Sequence, residues 1–126
     1  LYDGILIKEN HIAAAGGVTA ALRNAPALVR EAGASIGIQI EVETLDQLDE
    51  ALQAGAVSVL LDNFDLDRMR QAVALNAGRA LLEVSGSVQL DQVRAIAATG
   101  VDRISIGRLT KDVKAVDFSM RVIERL

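Results

Sequence analysis

Short apolar runs alternate with segments of helical spacing along almost the whole chain. Five runs predict strands, because their apolar residues are continuous or recur with a period of two. They are Gly4 to Lys8, Ile36 to Glu43, Val57 to Asp62, Ala80 to Ser85 and Arg103 to Gly107. Strands that alternate with single helices predict parallel pairing through right-handed crossovers, and therefore an α/β fold.

The segments between the strands place their apolar residues on one helical face. Three such faces are Leu45, Leu48, Ala51 and Leu52, then Leu66, Met69 and Val73, then Leu90, Val93, Ile96 and Ala97. Thr44 with Gln47 predicts a capping box, Asp65 predicts another N-cap, and Gly55 and Gly100 stand where helices should end.

Two further helices are predicted on weaker patterns. One runs from Thr19 to Ala32 and contains Pro26, which should kink or divide it. The other begins near Asp117 and turns Phe118, Val122 and Leu126 inward.

The strands could close as a barrel or lie in an open doubly wound sheet. Short strands in compact βα units favour the barrel, and no Gly-x-Gly-x-x-Gly follows the first strand to support a dinucleotide-binding sheet. Five strands cannot close a barrel, so we predict parallel βα units forming part of an incomplete (β/α) barrel. The chain starts at Leu1 rather than Met, and we expect residues 1–126 to be part of a longer protein.

The amino-acid composition limits the kinds of ligand and partner that the chain is expected to bind. Asp and Glu outnumber Lys and Arg by 17 to 13, and two Phe, one Tyr and no Trp offer little to stack on bases, so nucleic-acid binding is not expected. The chain has no cysteine, no basic and apolar leader and no apolar run of about 18 residues, which predicts a cytoplasmic protein that does not enter membranes. An anionic substrate must then be bound by a few local cations and backbone N–H groups.

Charged residues lie at or near the C-terminal ends of four of the predicted strands. Lys8, Glu41, Asp62 and Glu83 each follow an apolar run, and the C-terminal ends of parallel strands meet on one face about 5 Å apart. That face carries the active site in barrels. The alternative is that strand ends are polar because they reach water, and we expect this for Glu43, which adjoins the capping segment.

Small residues follow the last two strands. Ser85-Gly86-Ser87 and Ser105-Ile106-Gly107-Arg108 would let backbone N–H groups approach an anion, and Lys111 could add a cation. These loops predict a phosphate site. His11, the only histidine, is expected to organise a loop or orient a substrate, and a divalent ion would be Mg²⁺ shared between a carboxylate and substrate oxygens.

The motifs resemble those of the quinolinate phosphoribosyltransferase family. The matching segments, in family order, are Leu6-Ile7-Lys8-Glu9-Asn10-His11, Ile40-Glu41-Val42-Glu43, Leu60-Leu61-Asp62-Asn63-Phe64, Leu82-Glu83-Val84-Ser85-Gly86, and Thr99-Gly100-Val101-Asp102 running on to Ile106-Gly107-Arg108-Leu109-Thr110. The resemblance implies conversion of quinolinate and phosphoribosyl pyrophosphate, with Mg²⁺ and no organic cofactor, to nicotinate mononucleotide, pyrophosphate and CO₂ in NAD synthesis. It also implies an incomplete barrel and a homodimer, or an assembly of dimers, whose sites are completed by a neighbour's N-terminal domain.

The resemblance also assigns residues. Lys8 would contact the anionic substrates, Glu41 and Asp62 would lie near the ribose hydroxyls and the metal, and Glu83 would line the same floor. The 5-phosphate would be held by the two loops, with Lys111 nearby: Ser85, Gly86, Ser87, Ile106, Gly107 and Arg108.

Two departures from the family pattern stand out. Many relatives have Ser-Gly-Gly where this chain has Ser85-Gly86-Ser87, so Ser87 is strained if its φ is positive. The arginine-rich quinolinate pocket of the family, with its His-Arg pair, is expected upstream of Leu1, so this chain alone should be inactive and could self-associate through an exposed strand edge.

Two other interpretations remain open at this stage. One is a superfamily relative from molybdate-transport operons with another substrate. The other is a non-catalytic half-barrel module whose strand-end charges are merely solvated.

Overall fold

One parallel sheet organises the molecule. The computed structural model describes residues 4–31 and 36–124, and within them the strand order is β1-β2-β3-β4-β5. The strands are β1 Gly4–Ile7, β2 Gly37–Val42, β3 Ser58–Asp62, β4 Leu81–Ser85 and β5 Arg103–Ile104. Because spatial order follows chain order, the sheet has no point at which the winding reverses, as a doubly wound sheet would have. The prediction of parallel βα units from an incomplete barrel is confirmed.

The helices of the described residues are α1 Glu9–Ala15, α2 Val18–Glu31, α3 Leu45–Gln53, α4 Leu66–Asn76, α5 Val93–Ala97 and α6 Arg108–Lys111, with a 3₁₀ turn Leu90–Gln92 before α5. The first five pack along one face of the sheet, each beside the next, whereas α6 is exposed. None of the helices within residues 4–31 and 36–124 combines the length and apolarity needed to cross a bilayer.

The two faces of the sheet differ sharply. The helix-covered face holds the fully buried apolar side chains, which interdigitate with the helices: Ile40, Val42, Val59, Leu61, Leu82 and Val84. Truncating one of the leucines there should cost about 2–5 kcal/mol of stability. The other face would line a barrel interior and is mostly polar: Gln39, Glu41, Leu60, Asp62, Glu83, Ser85 and Arg103. Alternation along each strand therefore separates a core from a candidate site.

The predicted helix ends are confirmed, but the capping box is only half formed, because the Gln47 side chain accepts from the Glu43 N–H rather than from the Thr44 N–H. The hydroxyl of Thr44 accepts a hydrogen bond from the Gln47 N–H at 3.1 Å, and a carboxylate oxygen of Asp65 accepts one from the Arg68 N–H at 2.8 Å. Gly55 and Gly100 have φ of 85° and 95°, which glycine adopts without steric cost. Thr44 and Asp65 therefore mark where the βα loops after β2 and β3 end.

Predictions about three elements need correction. Pro26 does not divide α2, which runs on through it, because that residue is exposed and water can satisfy the carbonyl that loses its N–H partner. Strand β5 is two residues long and ends before Ser105. The helix expected near Asp117 is absent from the described part of the chain, where residues 113–124 have no regular structure and Phe118 is 88% exposed.

The missing final helix has a physical reason. Short helices are marginal in water unless an apolar face is buried, and in the described part of the chain the side chains of Phe118 and Val122 are exposed. Ala32 and Leu126, which were also placed in predicted helices, lie outside the described residues.

Candidate functional site

The strand-end charges lie on one face of the sheet, but in two layers. Glu41 pairs in register with Leu60, and Leu60 pairs with Glu83, so these two carboxylates share a layer on either side of a leucine. Asp62 is two residues further along its strand and pairs with Ser85. Asp62 is therefore one layer nearer to the rim at which the strands end.

Lys8 and Glu41 form an ion pair across the first two strands. The distance from Lys8 Nζ to Glu41 Oε2 is 3.5 Å, and the side chains are 51% and 11% exposed respectively. Glu41 is thus largely buried with one cation beside it, while half of the lysine side chain remains open to an anionic ligand.

Both carboxylate oxygens of Asp62 accept hydrogen bonds. Ser85 Oγ donates to Oδ1 at 3.1 Å, and Asn63 Nδ2 donates to Oδ2 at 2.7 Å. The carboxylate plane is therefore fixed by two side chains, one from the next strand and one from the following residue. Hydrogen bonds to an ionised acceptor are about twice as strong as neutral ones, so this orientation is well defined.

Glu83 is held by partners on either side of β4. Gln39 Nε2 donates to Glu83 Oε2 at 3.0 Å, and Ser105 Oγ donates to the other oxygen. Gln39 was not singled out from the sequence, although its place two residues before Glu41 puts it on the same strand face. Glu83 therefore connects β2, β4 and the loop after β5.

The two small-residue loops face each other across one cleft. The volume of the cleft is about 660 Å³. Six of the residues predicted for the phosphate site line it: Ser85, Gly86, Ser87, Gly107, Arg108 and Lys111. The Arg108 guanidinium pairs with Asp112 at 2.9 Å, and Lys111 adds a second exposed cation. Ile106, also predicted, does not line the cleft but packs against the core.

The backbone of the first loop is held in the left-handed region. Gly86 has φ of 90°, and a Cβ built there would lie 2.2 Å from Asn63 Oδ1. Ser87 has φ of 45°, so the condition under which this residue would be strained is met. The loop therefore depends on glycine at one position and tolerates strain at the next.

His11 lies in the first turn of α1, a helix that the sequence did not predict. Its Nδ1 accepts a hydrogen bond from the Lys8 backbone N–H at 2.9 Å, which caps α1. This fits the organising role expected of it, in a helix rather than a loop. Glu43 is exposed, as predicted.

The carboxylates suit a metal ion that substrate oxygens also bind, rather than one held by protein side chains alone. Within the described residues no three His, Cys, Asp or Glu side chains cluster closely enough to hold an ion by themselves. Glu41 and Asp62 stand on adjacent strands, and Mg²⁺ commonly takes one or two carboxylates together with substrate phosphate oxygens.

Comparison with known proteins identifies the family. Residues 1–121 match the family described as "Quinolinate phosphoribosyl transferase, C-terminal domain". The chain belongs to this family. It is 43% identical over 122 residues to the probable nicotinate-nucleotide pyrophosphorylase (carboxylating) of Bacillus subtilis, covering 97% of this chain and 41% of the relative. It is 36% identical to a mitochondrial quinolinate phosphoribosyltransferase (decarboxylating) of Nicotiana glauca, covering 97% and 39%.

Solved structures agree in fold. The nicotinate-nucleotide pyrophosphorylase of Francisella tularensis matches with a TM-score of 0.83 and 44% identity, covering 93% of this chain and 40% of that one. NadC from Streptococcus pyogenes matches with a TM-score of 0.84 and 38% identity, covering 97% and 42%. The chain thus spans about two fifths of the length of these relatives.

Proposed function

We propose that this chain is the part of a quinolinate phosphoribosyltransferase that binds phosphoribosyl pyrophosphate and carries its transfer to quinolinate. The products are nicotinate mononucleotide, pyrophosphate and CO₂, in de novo NAD biosynthesis. The observation that carries the proposal is the arrangement of Glu41 and Asp62 on one face of the sheet. The cleft between the Ser85–Ser87 loop and the segment Gly107–Lys111, which includes α6, lies beside Asp62. This arrangement supports the proposal, because carboxylates suited to a ribose lie next to a cationic, glycine-containing cleft suited to its phosphate.

In the proposed reaction the ring nitrogen of quinolinate forms a bond to the anomeric carbon as the bond to pyrophosphate breaks. Positive charge develops on the ribose during this exchange, and Glu41 and Asp62 would stabilise it. Lys8 would offset charge on quinolinate or on the departing pyrophosphate. The cleft would fix the far end of the sugar and so orient the anomeric carbon.

Decarboxylation follows in this proposal. Once the ring nitrogen carries the ribosyl group it is positively charged, so it can accept the electron pair of the carbon–carboxylate bond as CO₂ leaves. A proton then replaces the carboxylate on the ring. Residues outside this chain are expected to bind quinolinate itself.

Mg²⁺ bound with the pyrophosphate would neutralise charge on the leaving group. Glu41 and Asp62 are the residues of this chain that we propose to hold it, together with substrate oxygens. By family resemblance we also propose a cytoplasmic homodimer, or an assembly of dimers, in which a neighbouring subunit completes each site.

The test uses the full-length enzyme, meaning a protein of the relatives' length that carries this chain. We expect Glu41→Ala and Asp62→Ala each to lower turnover on the order of 10²- to 10³-fold, because each removes one charge that stabilises the transition state. Glu43→Ala, which removes an exposed carboxylate from the same strand end, is the matched control and should stay near wild type. Near wild-type turnover in both test variants contradicts the assignment.

Binding separates this function from the other interpretations. Titration calorimetry with phosphoribosyl pyrophosphate, with and without Mg²⁺, should show a site in the full-length enzyme. If the full-length protein binds phosphoribosyl pyrophosphate but does not consume quinolinate, it is a relative with another substrate. If it binds neither phosphoribosyl pyrophosphate nor quinolinate, it is a non-catalytic module.

A further inference from the structure

Asn63 stands between the two halves of the proposed site. Its Nδ2 donates to Asp62 Oδ2 at 2.7 Å, and its Oδ1 lies over Gly86, where a Cβ would come within 2.2 Å. Its backbone N–H also donates to the Ser85 carbonyl oxygen at 3.2 Å. One residue thus contacts the carboxylate proposed for the ribose and the loop proposed for the phosphate.

The backbone at this position restricts which residue can make these contacts. Asn63 has φ of 54°, a left-handed conformation that glycine, asparagine and aspartate adopt most readily. Glycine has no side chain to donate, and aspartate would set a second carboxylate against Asp62. Asparagine alone of the three offers an N–H donor to that carboxylate.

We infer that Asn63 is a positioning residue, which orients the Asp62 carboxylate and keeps the Ser85–Ser87 loop in place against it. The inference rests on the proposed function and adds to it a residue that acts through Asp62 rather than on the substrate. Ser85 provides the second donor to the same carboxylate, so the pair fixes both of its oxygens.

The key substitution is Asn63→Gly, which keeps the left-handed backbone unstrained and removes both side-chain contacts. In the full-length enzyme we expect kcat to fall on the order of 10- to 100-fold, because a misoriented group loses much of its effect, with a smaller rise in KM for phosphoribosyl pyrophosphate. Asn63→Asp keeps the size and the backbone preference but lacks the donor, and it should lose at least as much.

A double-mutant cycle distinguishes positioning from general damage. If Asn63 acts through Asp62, then Asn63→Gly should change kcat less than about twofold in an Asp62→Asn background. The same 10- to 100-fold loss in both backgrounds would overturn the inference while leaving the proposed function intact, since the wild-type enzyme serves as the reference for turnover.

An unfolding cycle tests the contact without any turnover. Chemical denaturation of the wild type, both single variants and the double variant should give midpoint shifts that do not add, because the two side chains share a hydrogen bond. Additive shifts overturn the inference whatever the enzyme does. A wild-type enzyme that fails to transfer phosphoribose would refute the proposed function, and the positioning role with it, even if the unfolding cycle is non-additive.

Discussion

Replacing Gly86 with alanine should damage the chain more than the same change at Gly55. The two glycines have φ of 90° and 85°, so alanine meets nearly the same backbone strain at both, about 1–2 kcal/mol. Among the described residues, nothing lies within 4 Å of a Cβ at Gly55. At Gly86 the Cβ would lie 2.2 Å from Asn63 Oδ1 and 3.0 Å from the Asn63 backbone nitrogen.

The difference between the two variants isolates the close approach. The Asn63 side chain can rotate away at the loss of its bond to Asp62, but its backbone nitrogen cannot move without displacing β3. Forcing a methyl group into a packed site typically costs about 1–3 kcal/mol. We therefore expect Gly55→Ala to cost about 1–2 kcal/mol and Gly86→Ala about 2–5 kcal/mol.

Denaturation with guanidinium chloride measures both costs, and calorimetry with phosphoribosyl pyrophosphate measures the consequence for binding. Gly86→Ala should weaken binding at least about tenfold, or 1.4 kcal/mol, because the loop must shift, whereas Gly55→Ala should leave it unchanged. Adding Asn63→Gly should relieve part of the cost of Gly86→Ala. Equal costs for the two alanine variants, or no relief in the double variant, would refute the packing argument.

Three more outcomes follow from the structure. Ser87→Gly should stabilise the protein by up to about 1 kcal/mol in denaturation experiments, because it relieves the strain of a positive φ. Ala77 has nearly the same φ outside the cleft, so Ala77→Gly should stabilise the protein by a similar amount. Stabilisation by Ala77→Gly alone would contradict the strain at Ser87. The Thr19 backbone N–H, and then its hydroxyl, hold the pKa of Glu50 below its ordinary value of 4.5. The ionised Glu50 side chain therefore stabilises the fold above pH 4.5, and this stabilisation is lost as the pH falls through the lower pKa of the folded state. Glu50→Gln should be less stable than wild type at neutral pH, and the difference in stability should disappear in acid. A difference that persists in acid contradicts the assignment. The chain by itself should show little turnover in an assay for nicotinate mononucleotide, and activity equal to that of the full-length enzyme would contradict our division of the site.

Much of the fold could be predicted because its patterns are local. The alternation of strand-like and helix-like apolar spacing along the chain predicts the parallel strands. Thr44 and Asp65 mark two helix starts through hydrogen bonds that span only three residues. The helix α1 escaped detection because its signal is a single side chain, His11, which accepts the hydrogen bond of the capping residue. The segment around Phe118 fits both a helical spacing and a strict alternation, and only a packing surface can decide between them.

The site could be predicted only in part, because register is a tertiary property. The sequence indicated which residues end strands, but not that Glu41 and Glu83 share a layer while Asp62 lies one layer beyond them. Gln39 and Asn63 also carried no chemical signature of their own. Their importance lies in the carboxylates they contact, which only the pairing of β2, β3 and β4 brings within reach.

The hydrogen-bond and ion-pair partners of the strand-end carboxylates argue against the interpretation that these charges are merely solvated. A carboxylate at a wet strand end needs no partner, since water satisfies it, and an apolar side chain would fill the inner face of a barrel at lower cost. Here Glu41 has a lysine beside it, and Asp62 and Glu83 each accept hydrogen bonds on both oxygens. Five oxygens held so specifically would be superfluous on a surface open to water. The arrangement is what a preorganised anionic site requires, because its groups must already be oriented before charge develops on the substrate.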